Sequence, residues 1–148
     1  MLVTIRASIP EDSEHIMDIW RRSVDTTHDF LSPEDRRAIE TEVSVFLPNM
    51  PLWVAVNRQN QAVAFMLLDG NHMEALFVDP AYRGSGVGRS LIKHALHLSM
   101  NLTTDVNEQN SQAVGFYEHM GFQRTGYSAT DAQGRPYPLI HLRYAGEL

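Results

Sequence analysis

The stretch Leu76-Phe77-Val78-Asp79-Pro80-Ala81-Tyr82-Arg83-Gly84-Ser85-Gly86-Val87-Gly88-Arg89 decides the reading of this chain. An apolar run stops at Asp-Pro, and glycines at 84, 86 and 88 then open a helical pattern. That order predicts a strand feeding a tight turn and a helix N-terminus, where backbone N–H groups without helical partners can converge on phosphate. Glycine lets the backbone approach such a ligand with no Cβ in the way. Two common phosphate loops do not fit. Counted from Gly84, the second glycine of Gly-x4-Gly-Lys-Ser/Thr falls on Arg89, with no lysine after it, and Gly-x-Gly-x-x-Gly fails because the glycines alternate. A diphosphate cradle without the usual nucleotide-hydrolysing apparatus remains.

Upstream of the turn, Val3–Arg6 reads as a strand, and Pro10 starts a helix through Glu11–Ser23 with Ile16, Ile19 and Trp20 on one face. Thr26 to Ser32 reads as loop. Ser32-Pro33-Glu34-Asp35 is an N-cap, a first-turn proline and two acids, opening a helix towards Leu47 that Pro48 and Pro51 end. Leu52–Val56, Val63–Leu68 and Met73–Val78 are closely spaced strands of an antiparallel meander. Downstream, a helix from Gly86 to Met100 carries Val87, Leu91, Ala95 and Leu98 as its stripe, and Leu102–Val106 is a short strand. Asn110 caps a helix with the stripe Ala113, Phe116, Tyr117 and Met120, closed by Gly121. Gln123–Thr130 and Tyr137–Tyr144 complete the order β-α-α-β-β-β-α-β-α-β-β. The strand–helix–strand from Met73 to Val106 is expected to be a right-handed parallel crossover.

At 148 residues the chain is expected to form a single domain, 1–148. A net charge of −6 argues against a broad nucleic-acid surface. No run of 18 apolar residues occurs and the N-terminus turns acidic at once, which argues against a membrane span and a secretory signal. With no cysteine there is no thiolate nucleophile, disulfide or cysteine metal site, which fits a cytoplasmic protein.

Beyond the glycine turn lies a second signature. Arg83-x-x-Gly86-x-Gly88 follows a strand ending Leu76-Phe77-Val78-Asp79-Pro80, and Asn110-x-x-Ala113-x-x-Phe116-Tyr117 and Gly121-Phe122 come after it. In this order and spacing, Met73 to Phe122 resembles the Gcn5-related N-acetyltransferase (GNAT) superfamily. The flanking Thr27-His28-Asp29-Phe30-Leu31 and Pro136-Tyr137-Pro138 resemble one bacterial subgroup of it, so the likeness covers nearly the whole chain. It implies an α/β (α+β) fold: a mixed, mostly antiparallel six- to seven-stranded sheet with a central parallel β-α-β and four helices.

The resemblance implies acetyl-coenzyme A as acetyl donor. Main-chain N–H groups from Gly84, Ser85, Gly86, Val87, Gly88 and Arg89 would hold the pyrophosphate with help from the helix dipole, and Arg83 and Arg89 would add charge. The pantetheine arm would pair with the main chain of Leu76, Phe77 and Val78, one of whose N–H groups would polarise the thioester carbonyl. Asn110 combines capping with a place beside the pantetheine. Tyr117 matches the family's tyrosine near the coenzyme sulfur, although its periodicity alone assigns it to the apolar stripe. A phenol of pKa ~10 donates to a thiolate of ~8.5 more readily than it surrenders its proton.

The acceptor amine must lose a proton before it attacks. At pH 7 that costs about 4.6 kcal/mol for a lysine side chain and about 1.4 for an α-amino group. Asp105 stands where some family members place a glutamate base; Glu74, at the start of the strand entering the turn, could act through water. His28 is a candidate for the acceptor wall. His94 and His97, three apart on one helix, lack a third ligand and read as surface residues, and no metal is expected. Trp20 and Trp53 read as core. The leading function is N-acetyltransfer to a primary amine, of a protein lysine or a small molecule, by direct attack. A non-catalytic acetyl-coenzyme A sensor is the alternative. The protein is expected to be a monomer or homodimer, the strand ending at Tyr144 offering a dimer edge.

Overall fold

The computed structural model describes residues 3–146, so the outermost two residues at each end of the expected domain lie outside it. The elements follow the expected order: β1 (Thr4–Ala7), α1 (Ser13–Thr27), α2 (Pro33–Phe46), β2 (Trp53–Val56), β3 (Ala62–Asp69), β4 (His72–Val78), α3 (Val87–Leu98), β5 (Thr103–Asn107), α4 (Ser111–Met120), β6 (Phe122–Ser128) and β7 (Leu139–Tyr144). One seven-stranded sheet runs β1-β2-β3-β4-β5-β7-β6. β1 and β2, β2 and β3, β5 and β7, and β6 and β7 pair antiparallel, and β4 and β5 pair parallel at His72↔Thr103 and Met73↔Thr104.

Several expectations need correction. Pro10–Asp12 is a separate 3₁₀ turn before α1, and α1 continues through Thr26 and Thr27, whose hydroxyls both bond back to Ser23 O. The strand ending at Tyr144 is no edge: β7 is hydrogen-bonded on both sides, and β6 takes the outer place. In α3 the buried stripe is Val87, Leu91, Ile92, Ala95 and Leu96, and Leu98 is 58% exposed because the stripe turns at Ile92 and Leu96.

The chain divides into two compact units, and β4 contributes to both: one runs up to Leu67 and adds Ala75–His94, the other comprises Leu68–Glu74 and the chain from Ala95. In the first unit Ile16, Ile19, Trp20 and Val24 of α1 pack with Val54, Val56, Phe65 and Leu67 of β2 and β3. A fully buried side chain of this kind contributes roughly 1.5–3 kcal/mol. No side chain of α2 is fully buried; Arg36 joins α2 to Asp25 at 2.9 Å, and its guanidinium covers the Trp20 ring at 4.9 Å. In the second unit Leu102, Thr104, Val106, Ile140 and Leu142 are buried on alternating strand positions, beside an aromatic file of Tyr117, Phe122 and Tyr144.

Candidate active site

In the first unit β4 delivers the chain to the glycine turn at Asp79, which is almost fully buried. Its N–H donates to Val63 O at 2.9 Å, and its carboxylate accepts from Ala81 N–H at 2.9 Å and from Arg22 Nη1 at 2.7 Å. The turn is thus fixed before it begins. Gly84 and Gly86 have φ of +74° and +86°, a region that L side chains rarely enter. A Cβ at either would meet nothing within 4 Å, so backbone conformation, not crowding, selects glycine here. The Ser85 hydroxyl donates back to Tyr82 O, and Ser90 N–H donates to Gly86 O at 3.0 Å as α3 begins. The preceding N–H groups of Val87, Gly88 and Arg89 have no acceptor within the helix. Val87 is buried and anchors this end, whereas Arg89 is exposed. Arg83 is half-buried and donates from Nη2 to Thr26 Oγ1 of α1 at 2.8 Å.

β4 is fourth of seven strands, yet Leu76, Phe77 and Val78 are only half-buried. A central strand is ordinarily covered on both faces, so part of its surface is open to a ligand. The Phe77 ring stacks on Phe65 at 5.4 Å and faces the His28 ring at 6.4 Å. His28 also meets Phe30 at 5.3 Å, and its Nδ1 lies 2.7 Å from Thr27 Oγ1. Burial lowers the His28 pKa to about 4, against a small opposing pull from Asp29, so the ring is neutral at pH 7.

In the second unit Asn110 caps α4, its side-chain oxygen accepting from Ala113 N–H at 3.2 Å. Tyr117 is 7% exposed, its ring edge-to-face with Phe116 at 5.4 Å and Phe122 at 5.5 Å. Burial pushes the phenol above its ordinary range, so it keeps its proton. Asp105 projects from β5 and is exposed; Glu74 on β4 is exposed too. Asp105 Oδ1 lies 2.6 Å from His141 Nδ1 and Oδ2 lies 3.4 Å from His72 Nε2. The sequence reading missed both histidines, because only the register Asp105↔His141 and His72↔Thr103 assembles them.

His94 corrects another expectation. It is half-buried in the first unit, with its ring edge-to-face on Trp53 at 4.3 Å and its buried Nε2 without a partner among the described residues. Trp53 is itself only half-buried, whereas Trp20 is core.

A family model described as "Acetyltransferase (GNAT) domain" matches residues 16–136. The peptidyl-lysine N-acetyltransferase YjaB of Escherichia coli strain K12 is 58% identical over 146 residues, 99% of each chain. The solution structure of apo-form YjaB from Escherichia coli superposes with a TM-score of 0.96 at 57% identity, covering 99% of this chain and 100% of that one. The PaiA N-acetyltransferase of Thermoplasma acidophilum, solved in complex with coenzyme A, shares the fold at a TM-score of 0.78 and 20% identity, over 97% and 100% of the two chains.

Proposed function

Because this chain belongs to the GNAT acetyltransferase family, we propose that it moves the acetyl group of acetyl-coenzyme A to the side-chain amine of a protein lysine by direct attack. Acetyl transfer itself follows from the family and from full-length similarity to an acetyltransferase. Nothing found favours a non-catalytic sensor. The lysine acceptor rests on likeness to the 58% identical peptidyl-lysine N-acetyltransferase. The family match takes in most of both units, which supports treating the chain as one acetyltransferase domain. No helix among the described residues is long and apolar enough to cross a membrane, and we place the protein in the cytoplasm.

The observation that carries the donor assignment is the pair of left-handed glycines opening α3. N–H groups from Gly84 to Arg89 bind the pyrophosphate, with Arg83 and Arg89 adding positive charge. Acetyl-coenzyme A supplies an activated thioester. A main-chain N–H of Leu76, Phe77 or Val78 faces the thioester oxygen as negative charge grows there. Asn110 orders the pantetheine, and Tyr117 donates its hydroxyl hydrogen to the leaving sulfur. Asp105 takes up the proton of the acceptor ammonium. The His28–Phe77 face walls the acceptor, and its neutral ring does not repel a cationic amine.

Saturating acetyl-coenzyme A is expected to shift the amide NMR signals of residues 84–89. Incubation with acetyl-coenzyme A and a lysine peptide with a blocked N-terminus is expected to add one acetyl group to the lysine in mass spectra. Unmoved amide signals would overturn the donor site. An untouched lysine alongside acetylation of a small amine would overturn the acceptor.

A further inference from the structure

Asp105 stands at the centre of a chain of side chains that crosses four strands. From β7, His141 Nδ1 approaches Asp105 Oδ1 at 2.6 Å, and His141 Nε2 lies 2.7 Å from Ser128 Oγ of β6. From β4, His72 Nε2 lies 3.4 Å from Asp105 Oδ2, and His72 Nδ1 lies 2.7 Å from Thr103 Oγ1 of β5. A carboxylate oxygen only accepts, so His141 Nδ1 donates to Asp105, and in the neutral ring Nε2 then accepts from the Ser128 hydroxyl. The local backbone serves this arrangement. A register shift between Arg124 and Gly126 puts Gly126 opposite His141, and a Cβ at 126 would come within 3.2 Å of His141 Cδ2. The missing side chain leaves room for the ring.

His72 is held differently. A threonine hydroxyl both donates and accepts, so Thr103 supports either tautomer of His72. With Nδ1 donating to Thr103, Nε2 presents a lone pair to Asp105 Oδ2. An imidazole is intrinsically a stronger base than a carboxylate, so a proton handed on from the aspartate is held better on the ring.

We propose that Asp105 passes the acceptor's proton to His72, while His141 and Ser128 fix the carboxylate for the transfer. This rests on the reading above that Asp105 faces the acceptor amine. In the step, one N–H bond of the acceptor ammonium breaks as its proton moves to Asp105 Oδ2. That proton then moves on to His72 Nε2. The products are a neutral amine, an ionised Asp105 and an imidazolium at His72. Asp105 is the catalytic base, His72 holds the proton, and His141 is a positioning residue. The other charged groups on these strand positions are Glu74, two residues from His72 on β4, and Arg143, two residues from His141 on β7 and the register partner of Thr103. Among the described residues no group of three or more His, Cys, Asp or Glu side chains could hold a metal ion.

The test is the pH dependence of kcat/KM from pH 5 to 10, with acetyl-coenzyme A and a single-lysine peptide blocked at its N-terminus. With a working acceptor for the proton, the wild-type profile is expected to reach a plateau well below the pH at which the lysine amine deprotonates unaided. His72→Gln is expected to lower kcat/KM at pH 7 roughly 10²-fold and to turn the plateau into a continuous climb towards pH 10, where the amine deprotonates unaided. Thr103→Val, which removes the hydroxyl and keeps the strand, is expected to change the profile in the same direction, about 10-fold at pH 7. His141→Gln and Ser128→Ala should lower kcat about 10-fold and leave the plateau in place. A wild-type profile in both His72→Gln and Thr103→Val overturns the relay. If Asp105→Asn alone then loses the plateau, Asp105 stands as the base without it; if Asp105→Asn also keeps the plateau, the base assignment falls as well.

Discussion

Arg22 on α1 donates from Nη1 to the Asp79 carboxylate at 2.7 Å, and so ties the first long helix to the residue that links β4 to the approach of the glycine turn. Asp79 is almost fully buried and also caps the 3₁₀ turn Pro80–Tyr82. Asp79→Ala removes both bonds and leaves the Ala81 N–H without its acceptor, a loss of about 1–3 kcal/mol. We expect a lower midpoint in urea and about 10-fold weaker acetyl-coenzyme A binding by calorimetry. Unaltered affinity would show that the turn keeps its shape without this anchor.

Gly86 bears on the same turn through its dihedral angle. At φ +86° with open space around it, an alanine suffers backbone strain of roughly 1–2 kcal/mol but no clash. Gly86→Ala should therefore fold, melt a few degrees lower and bind acetyl-coenzyme A at least 10-fold more weakly. Gly115→Ala, within α4 and equally uncrowded, is the control, with donor affinity unchanged.

Tyr117 separates binding from chemistry. Its buried phenol stays protonated across the usable pH range, so in the proposed mechanism it contributes a hydrogen bond to the departing sulfur and no titration of its own. Tyr117→Phe keeps the aromatic packing with Phe122 and should lower kcat about 10²-fold, with donor affinity nearly unchanged and no new limb in the pH profile. Unchanged kcat would return the residue to a packing role.

His28 makes stability depend on pH. The unfolded ring takes a proton near pH 6.5, the folded one only near 4, so between these values the unfolded chain binds more protons. Stability is therefore full above pH 6.5 and falls as the pH drops through the window, by up to about 3 kcal/mol. His28→Gln should flatten this slope in urea melts at pH 4.5 and 7. An equally steep slope in the variant would assign it elsewhere.

Asp12 acts in the same sense at lower pH. Arg6 holds it by two bonds, at 2.8 and 3.0 Å, and Ile9 N–H adds a third, which together keep the carboxyl below its ordinary range. The stability this gives is present above the carboxyl's unfolded pKa and is lost as the pH falls through its lowered folded value. Asp12→Asn should cost about 2 kcal/mol at pH 7, because the partly exposed Arg6 can still reach water.

Local chemistry explains which parts of this molecule were legible in its sequence. The Gly84–Gly88 turn, the Ser32 and Asn110 caps and the Gly121 stop are each written in a few consecutive residues, and all formed as expected. Leu98 misled because a helical stripe can continue through either of two neighbouring rows, and α3 buries Leu96 instead. His94 misled because its neighbour, Trp53, lies in a distant strand. The cluster around Asp105 was harder still. Residues 72, 105, 128 and 141 share no spacing, and only the pairing of β4, β5, β6 and β7, including the irregular register near Gly126, unites them.

Gly126 and His141 also constrain how this lineage can drift. A side chain at 126 would press on the edge of the imidazole, which must then give by a few tenths of an ångström while still reaching its carboxylate. Replacement of the glycine is therefore easiest in a descendant that has already lost the ring opposite it.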